Sequence, residues 1–135
     1  MCQHLYMLAA CNAYRRVAQC EHGTVHFTWD IATLHLGPED FLTLDRLLSQ
    51  WAESGQQQFS IEGWGQLVCD SRGTARIWAG QAGLAVVADD LLLLRALVRE
   101  AAAALQHASR HPTIGGHAVL HHPILTIDAS ALAAN

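Results

Sequence analysis

The stretch from Gly23 to Leu36 leaves this chain the least conformational freedom. Val25, Phe27 and Trp29 alternate with Thr24, His26 and Thr28, and Leu34 and Leu36 alternate with Thr33 and His35, the period-two pattern of half-buried strands. A tight turn at Asp30 and Ile31 then predicts an antiparallel hairpin with Phe27 facing Leu34 on the buried side and His26 facing His35 on the other. A helix is expected directly afterwards. Pro38 suits a first helical position, and Glu39 and Asp40 place carboxylates at the positive end of the helix dipole. Phe41, Leu44, Leu47, Leu48 and Trp51 recur at helical spacing, and the helix is expected to stop near Glu53 to Gly55.

Upstream, Tyr14 to Cys20 reads as a strand. Arg15, Arg16 and Gln19 interrupt its alternation, which predicts an edge position, and Glu21, His22 and Gly23 supply the following turn. Residues 1–11 show no clear period and admit either a short strand or an irregular arm.

The same order of elements recurs downstream. Trp64 to Asp70 reads as a strand, Ser71 to Gly73 as a turn, Thr74 to Ala79 and Gly83 to Val87 as a hairpin, and Asp89 to His107 as a helix. Sliding residues 22–48 onto 72–98 without a gap matches Gly23 with Gly73, Thr24 with Thr74, Ala32 with Ala82, Leu34 with Leu84, Asp40 with Asp90, Leu42 with Leu92, Leu44 with Leu94 and Leu47 with Leu97. Gly80 and Gln81 fall where Asp30 and Ile31 turn, and a Gly-X pair suits a two-residue hairpin loop. The chain is therefore expected to be one α+β domain, 1–135. It is read as a tandem βββα duplication (14–53 and 64–107), its antiparallel sheet carrying two helices packed on one face. The tail, 109–135, is punctuated by Pro112, Gly115, Gly116 and Pro123. Short strands are expected there at 119–120 and 124–127, with a last helical turn from Asp128.

Charge and hydropathy narrow the function classes. The formal charge is −4, from 8 Lys plus Arg against 12 Asp plus Glu, and no basic stripe with interleaved aromatics points to nucleic acid. The apolar run Leu5 to Ala10 is too short to span a membrane and has no basic segment before it. A soluble cytosolic protein is expected, its four cysteines (Cys2, Cys11, Cys20 and Cys69) held as thiols. Their spacing matches neither a paired C-x-x-C zinc site nor a disulfide framework. The chain is rich in histidine: protonating all nine would carry its formal charge from −4 to +5.

Two surfaces could carry chemistry. Cys20, His22, His26 and His35 are all residue types that bind zinc, iron or copper, and the first hairpin brings them near one another. The positions equivalent to His26 and His35 in the second half are Arg76 and Ala85, so such a site would belong to the first half alone. A polar face carrying His26, Thr28, Thr33, His35, Arg76 and Trp78 is the other, with an exposed aromatic beside cations as at protein interfaces. His107 and His111 share a helix face, but histidines in a last turn also complement the dipole. Cys69 beside Leu67 reads as an inert core thiol. Gly63 and Gly65 open no helix and so make no phosphate loop, and the acidic pairs at Glu39 and Asp89 fit helix starts. No nucleophile, base and oxyanion set can be assembled from adjacent elements. The leading expectation is thus a non-catalytic binding or assembly module acting on a protein partner or on itself. The alternative is a transition-metal or haem-associated protein using Cys20, His22, His26 and His35. Because 51% of residues are hydrophobic and only 15% charged, against roughly 25% charged in typical domains, a homodimer is expected. Leu92, Leu93, Trp78 and Val86 are its expected patch.

Overall fold

Alternation in the Gly23–Leu36 stretch is realised as two strands of a four-stranded sheet, in a computed structural model that describes residues 2–55, 58–61, 65–80 and 82–110. The first half forms β1 (Leu5–Asn12), β2 (Arg15–Cys20), β3 (Val25–Trp29), β4 (Ala32–Leu36) and α1 (Pro38–Ser54). The second forms β5 (Gln58–Ile61), β6 (Gly65–Cys69), β7 (Thr74–Ala79), β8 (Ala82–Val87) and, after a 3-10 turn at Ala88–Asp90, α2 (Leu91–Arg110). The strands make two separate antiparallel sheets, ordered β1-β2-β3-β4 and β5-β6-β7-β8. The expected three-stranded meanders are corrected to four strands each, the added strands being β1, in a segment without a clear period, and β5. The described residues divide into two compact units, 2–38 with 97–110, and those within Glu39–Ala96.

In the first unit the hairpin register is as expected, with Phe27 opposite Leu34 and His26 opposite His35. Val25, Phe27 and Trp29 are buried while His26 and Thr28 are only half-buried, so the pleat sorts the strand into two faces. Asp30 turns the chain with φ 58°, a left-handed conformation that aspartate tolerates better than most residues. β2 departs from expectation, because it lies between β1 and β3 rather than at an edge. Arg15, the first of its two arginines, is accommodated by partners. The Arg15 guanidinium lies 4.3 Å from the centre of the Trp29 ring, and its Nε donates to Asp30 Oδ1 at 2.8 Å. Asn12, buried at the β1–β2 turn, accepts the backbone N–H groups of Tyr14 and Arg15 at 2.8 and 3.0 Å.

Within the second unit, β7 alternates in the same way: Ala75, Ile77 and Ala79 are buried and Arg76 and Trp78 exposed. Gly65 is required where β6 passes β7, since any side-chain carbon there would run into the carbonyl of Trp78. The β6–β7 turn is held by Asp70, whose Oδ1 accepts the N–H groups of Arg72 and Thr74 at 2.8 and 3.0 Å. Those two bonds hold the Asp70 carboxyl below its ordinary range. A carboxylate with a depressed folded pKa adds stability above its unfolded pKa of about 3.9 and loses it as pH falls through the folded value. Asp70→Asn is therefore expected to lower the denaturation midpoint at pH 7, with the gap to the parent chain closing in the acid range. Urea titrations at pH 7 and pH 2.5 check this.

Both helices bury the stripes their spacing predicts. Phe41, Leu44, Leu47 and Leu48 of α1 are buried, as are Leu91, Leu94, Leu97, Val98, Ala101 and Leu105 of α2; each large side chain contributes roughly 1.5–3 kcal/mol. Helix α1 belongs to the unit that contains the second sheet, and α2 from Leu97 to the unit that contains the first. No described helix is long and apolar enough to cross a membrane. The strands expected at 119–120 and 124–127, the turn from Asp128, and His111, Gly63, Trp64 and Gln81 lie outside the described residues.

Candidate metal centre

The outer face of the first sheet gathers the ligand-type residues. Because Leu5 pairs with Cys20 and Tyr6 with Gln19, each pair sums to 25, and continuing that register beyond β1 sets residue 2 against residue 23. The N-terminal arm thus runs past the β2–β3 turn. Glu21 anchors it there: its two carboxylate oxygens accept the N–H groups of Gln3 and His4 at 2.8 and 2.7 Å. These contacts hold the Glu21 carboxyl below its usual range, chiefly through Gln3.

Cys2 is delivered by this arm onto the histidines. Its Sγ lies 3.5 Å from Nε2 of His26 and 3.7 Å from Nδ1 of His22, while Sγ of Cys20 lies 4.0 Å from the same His22 nitrogen. The ligand atoms of Cys2, Cys20 and His26 all fall within 4.8 Å of one another, as do those of Cys2, Glu21 and His22. Two sulfurs and an imidazole nitrogen in one cluster form a soft donor set that suits zinc and its neighbours.

Cys20 is only 3% exposed. Burial pushes its thiol up, but hydrogen bonds from Cys2, from His26 and from the backbone N–H groups of His22 and Thr24 outweigh this and bring it down to about 6. Sulfur here does what Asp70 does fifty residues later, accepting the N–H groups two and four positions on. The Cys2 thiol moves the other way, raised first by its hydrogen bond to Cys20, then by burial.

Of the four expected ligands, Cys20, His22 and His26 come together. His35 meets His26 edge-on, with ring centres 4.6 Å apart, and joins neither cluster of ligand atoms. Cys2 was not legible as a ligand; only the β1–β2 register exposes it. Cys69 is half-buried rather than in the core, with burial and then Asp70 raising its thiol. His107 is exposed on α2.

The expected polar face is split between the sheets. His26, Thr28, Thr33 and His35 belong to the first, where the Thr28 and Thr33 hydroxyls are 3.3 Å apart. Arg76 and Trp78 belong to the second. Trp78 is 47% exposed, and its ring covers Gly83, opposite it on β8, so closely that a side-chain carbon at Gly83 would lie 2.6 Å from the indole. Arg76, Trp78, Gly83 and Ala85 line a shallow depression of about 310 Å³. Val86 is buried and contributes nothing to an outer patch, because the β8 pleat turns Val87 outward in its place. The chain matches no known family, no curated protein and no solved structure.

Proposed function

We propose that this chain is a small transition-metal-binding module, its site built where the N-terminal arm crosses the β2–β3 turn. The observation that carries the reading is the convergence of Cys2, Cys20 and His26 ligand atoms within 4.8 Å. A cytosolic setting, in which thiols stay reduced, belongs to the same reading. The test is metal content. Purified under reducing conditions and without affinity-tag histidines, the protein is expected to carry or take up close to one zinc, iron or copper ion per chain. A parallel absorption spectrum would detect haem. Protein that takes up no metal, or that keeps its metal in both Cys20→Ser and His26→Ala, overturns the reading.

The site belongs to one half of what we read as a tandem duplication, of four strands and a helix rather than three strands and a helix. Support comes from backbone geometry repeated at an offset of fifty residues. Val17 pairs with Phe27 and Leu67 with Ile77; Phe27 pairs with Leu34 and Ile77 with Leu84. Gly23 and Gly73 have φ 89° and 85°, and Asp30 and Gly80 have φ 58° and 61°. Each helix is read as laying its apolar stripe on a sheet, as amphipathic helices of α+β domains do.

A second reading, a module that assembles with itself or with a protein partner, is favoured by the exposed aromatic and aliphatic groups of the second unit. Trp78, Val87, Leu92 and Leu93 are all exposed, Leu92 by 64%, and a two-fold dimer is the commonest way to cover such groups. Light scattering on a size-exclusion column is expected to give twice the chain mass at micromolar concentration, reduced to one chain mass by Leu93→Glu. A monomer at every concentration sinks this reading.

A further inference from the structure

We infer that Cys2, Cys20, His22 and His26 together close around a single divalent ion of the zinc class, as a four-coordinate centre that fastens the N-terminal arm to the β2–β3 hairpin. This rests on the metal-binding reading and goes beyond it, in ligand number, in metal class and in the purpose of the site.

Geometry is the first argument. With metal–sulfur bonds of about 2.3 Å and metal–nitrogen bonds of about 2.0–2.1 Å, a tetrahedral site has ligand-to-ligand edges of roughly 3.3–3.8 Å. The separations Cys2 to His26, Cys2 to His22 and Cys20 to His22, at 3.5, 3.7 and 4.0 Å, lie at or just beyond that range. Two further edges, Cys2 to Cys20 and Cys20 to His26, are within 4.8 Å. The remaining edge joins the two histidines, and it can shorten without disturbing the core. The His22 side chain is 62% exposed on a turn, so rotation about its own bonds brings its nitrogen inward.

The choice of fourth ligand follows from the neighbours. Glu21 is the competitor, with its Oε1 3.4 Å from Nδ1 of His22, but both of its oxygens already accept backbone N–H groups of the arm. Glu21 is therefore assigned to gripping the arm beside the site rather than to the ion. His35 is left out because it joins neither group of converging ligand atoms. Two thiolates and two imidazoles fill a tetrahedron with no position left for substrate, the condition of a structural zinc site. Fifty residues on, Asp70, Arg72 and Arg76 stand in the places of Cys20, His22 and His26, and two arginines cannot ligate a cation. The second turn thus keeps only the Asp70 carboxylate, whose Oδ1 accepts N–H groups of its own turn, whereas the first carries the sulfur and imidazole donors with which an ion could fasten a third chain segment.

Cobalt(II), a spectroscopic stand-in for zinc, tests the closed centre on the full reduced chain. The parent protein is expected to bind one cobalt with the intense ligand-field bands of a tetrahedral site and with thiolate charge-transfer absorption, and zinc is expected to displace it. Zinc should also slow amide exchange across Gln3 to Met7. In His22→Ala, zinc affinity is expected to fall at least about tenfold, the scale on which even supporting residues act, with weaker ligand-field bands as water takes the vacated position. His35→Ala should change neither quantity. Because His22 is exposed, the far-ultraviolet dichroism of the metal-free variant should match the parent, separating loss of a ligand from loss of the fold. One cobalt bound with spectrum and affinity unaltered by His22→Ala overturns the four-ligand centre and leaves the metal-binding reading standing. No binding by the parent overturns both.

Discussion

Zinc in about a thousandfold excess over its dissociation constant is expected to raise the unfolding free energy of the reduced chain by about 4 kcal/mol, as for any ligand that binds only the native state. Cys20→Ser should abolish most of that gain. Cys20 is the candidate ligand to remove because it ends β2, is buried, has its sulfur 4.0 Å from Nδ1 of His22, and falls within 4.8 Å of the ligand atoms of Cys2 and His26. Serine keeps an acceptor for the N–H groups of His22 and Thr24, so the turn survives in the metal-free protein while the sulfur is lost. Urea denaturation followed by tryptophan fluorescence, with free zinc buffered by a chelator, reads both quantities. An equal zinc-dependent shift in the parent and in Cys20→Ser would place the ion elsewhere.

Phe27→Ala is expected to cost about 3–5 kcal/mol, the range for emptying a buried aromatic site. Phe27 is 1% exposed. It lies across from Val17 on one side and Leu34 on the other, and its ring stands 6.5 Å from that of Trp29. Against a total stability of about 5–15 kcal/mol for a domain, that is a large fraction. His26, its neighbour in β3, projects from the opposite face into the group of candidate ligand atoms, so the strand that Phe27 anchors also carries a candidate ligand. The variant should therefore have a lower denaturation midpoint and weaker zinc affinity, with saturating zinc recovering part of the midpoint. A loss below about 1 kcal/mol, the range of surface substitutions, would show that this face of β3 is not core.

How much of this was legible in the amino-acid order follows from the range over which each signal acts. Alternation from Thr24 to Leu36 set the faces and register of the β3–β4 hairpin, because a one-residue slip would exchange Phe27 for His26 in the core. Pro38, the acidic pair after it and Gly55 bounded α1 as expected, since capping and dipole preferences act within a turn. Exposure of Leu92 and Leu93 beside a buried stripe likewise followed from helical period. All of these are settled by residues within about ten positions of one another.

Tertiary structure decided what depends on distant segments meeting. Nothing local marks Leu5–Asn12 as a strand, yet pairing with β2 makes it one and turns the arginine-bearing β2 from an edge into an interior strand. The cost of burying Arg15 is offset by Asp30 and Trp29, fifteen and fourteen residues away, partners that no reading of β2 by itself reveals. The candidate metal centre divides along the same line. Cys20, His22 and His26 are neighbours along the chain and were legible as a group, while Cys2 reaches them only through the β1–β2 ladder and the grip of Glu21 on the arm. His35 was assigned because it faces His26 across the hairpin, which is correct for the sheet. Yet the convergence of ligand atoms runs past the strand end toward the turn, and that direction is set by where a remote segment docks.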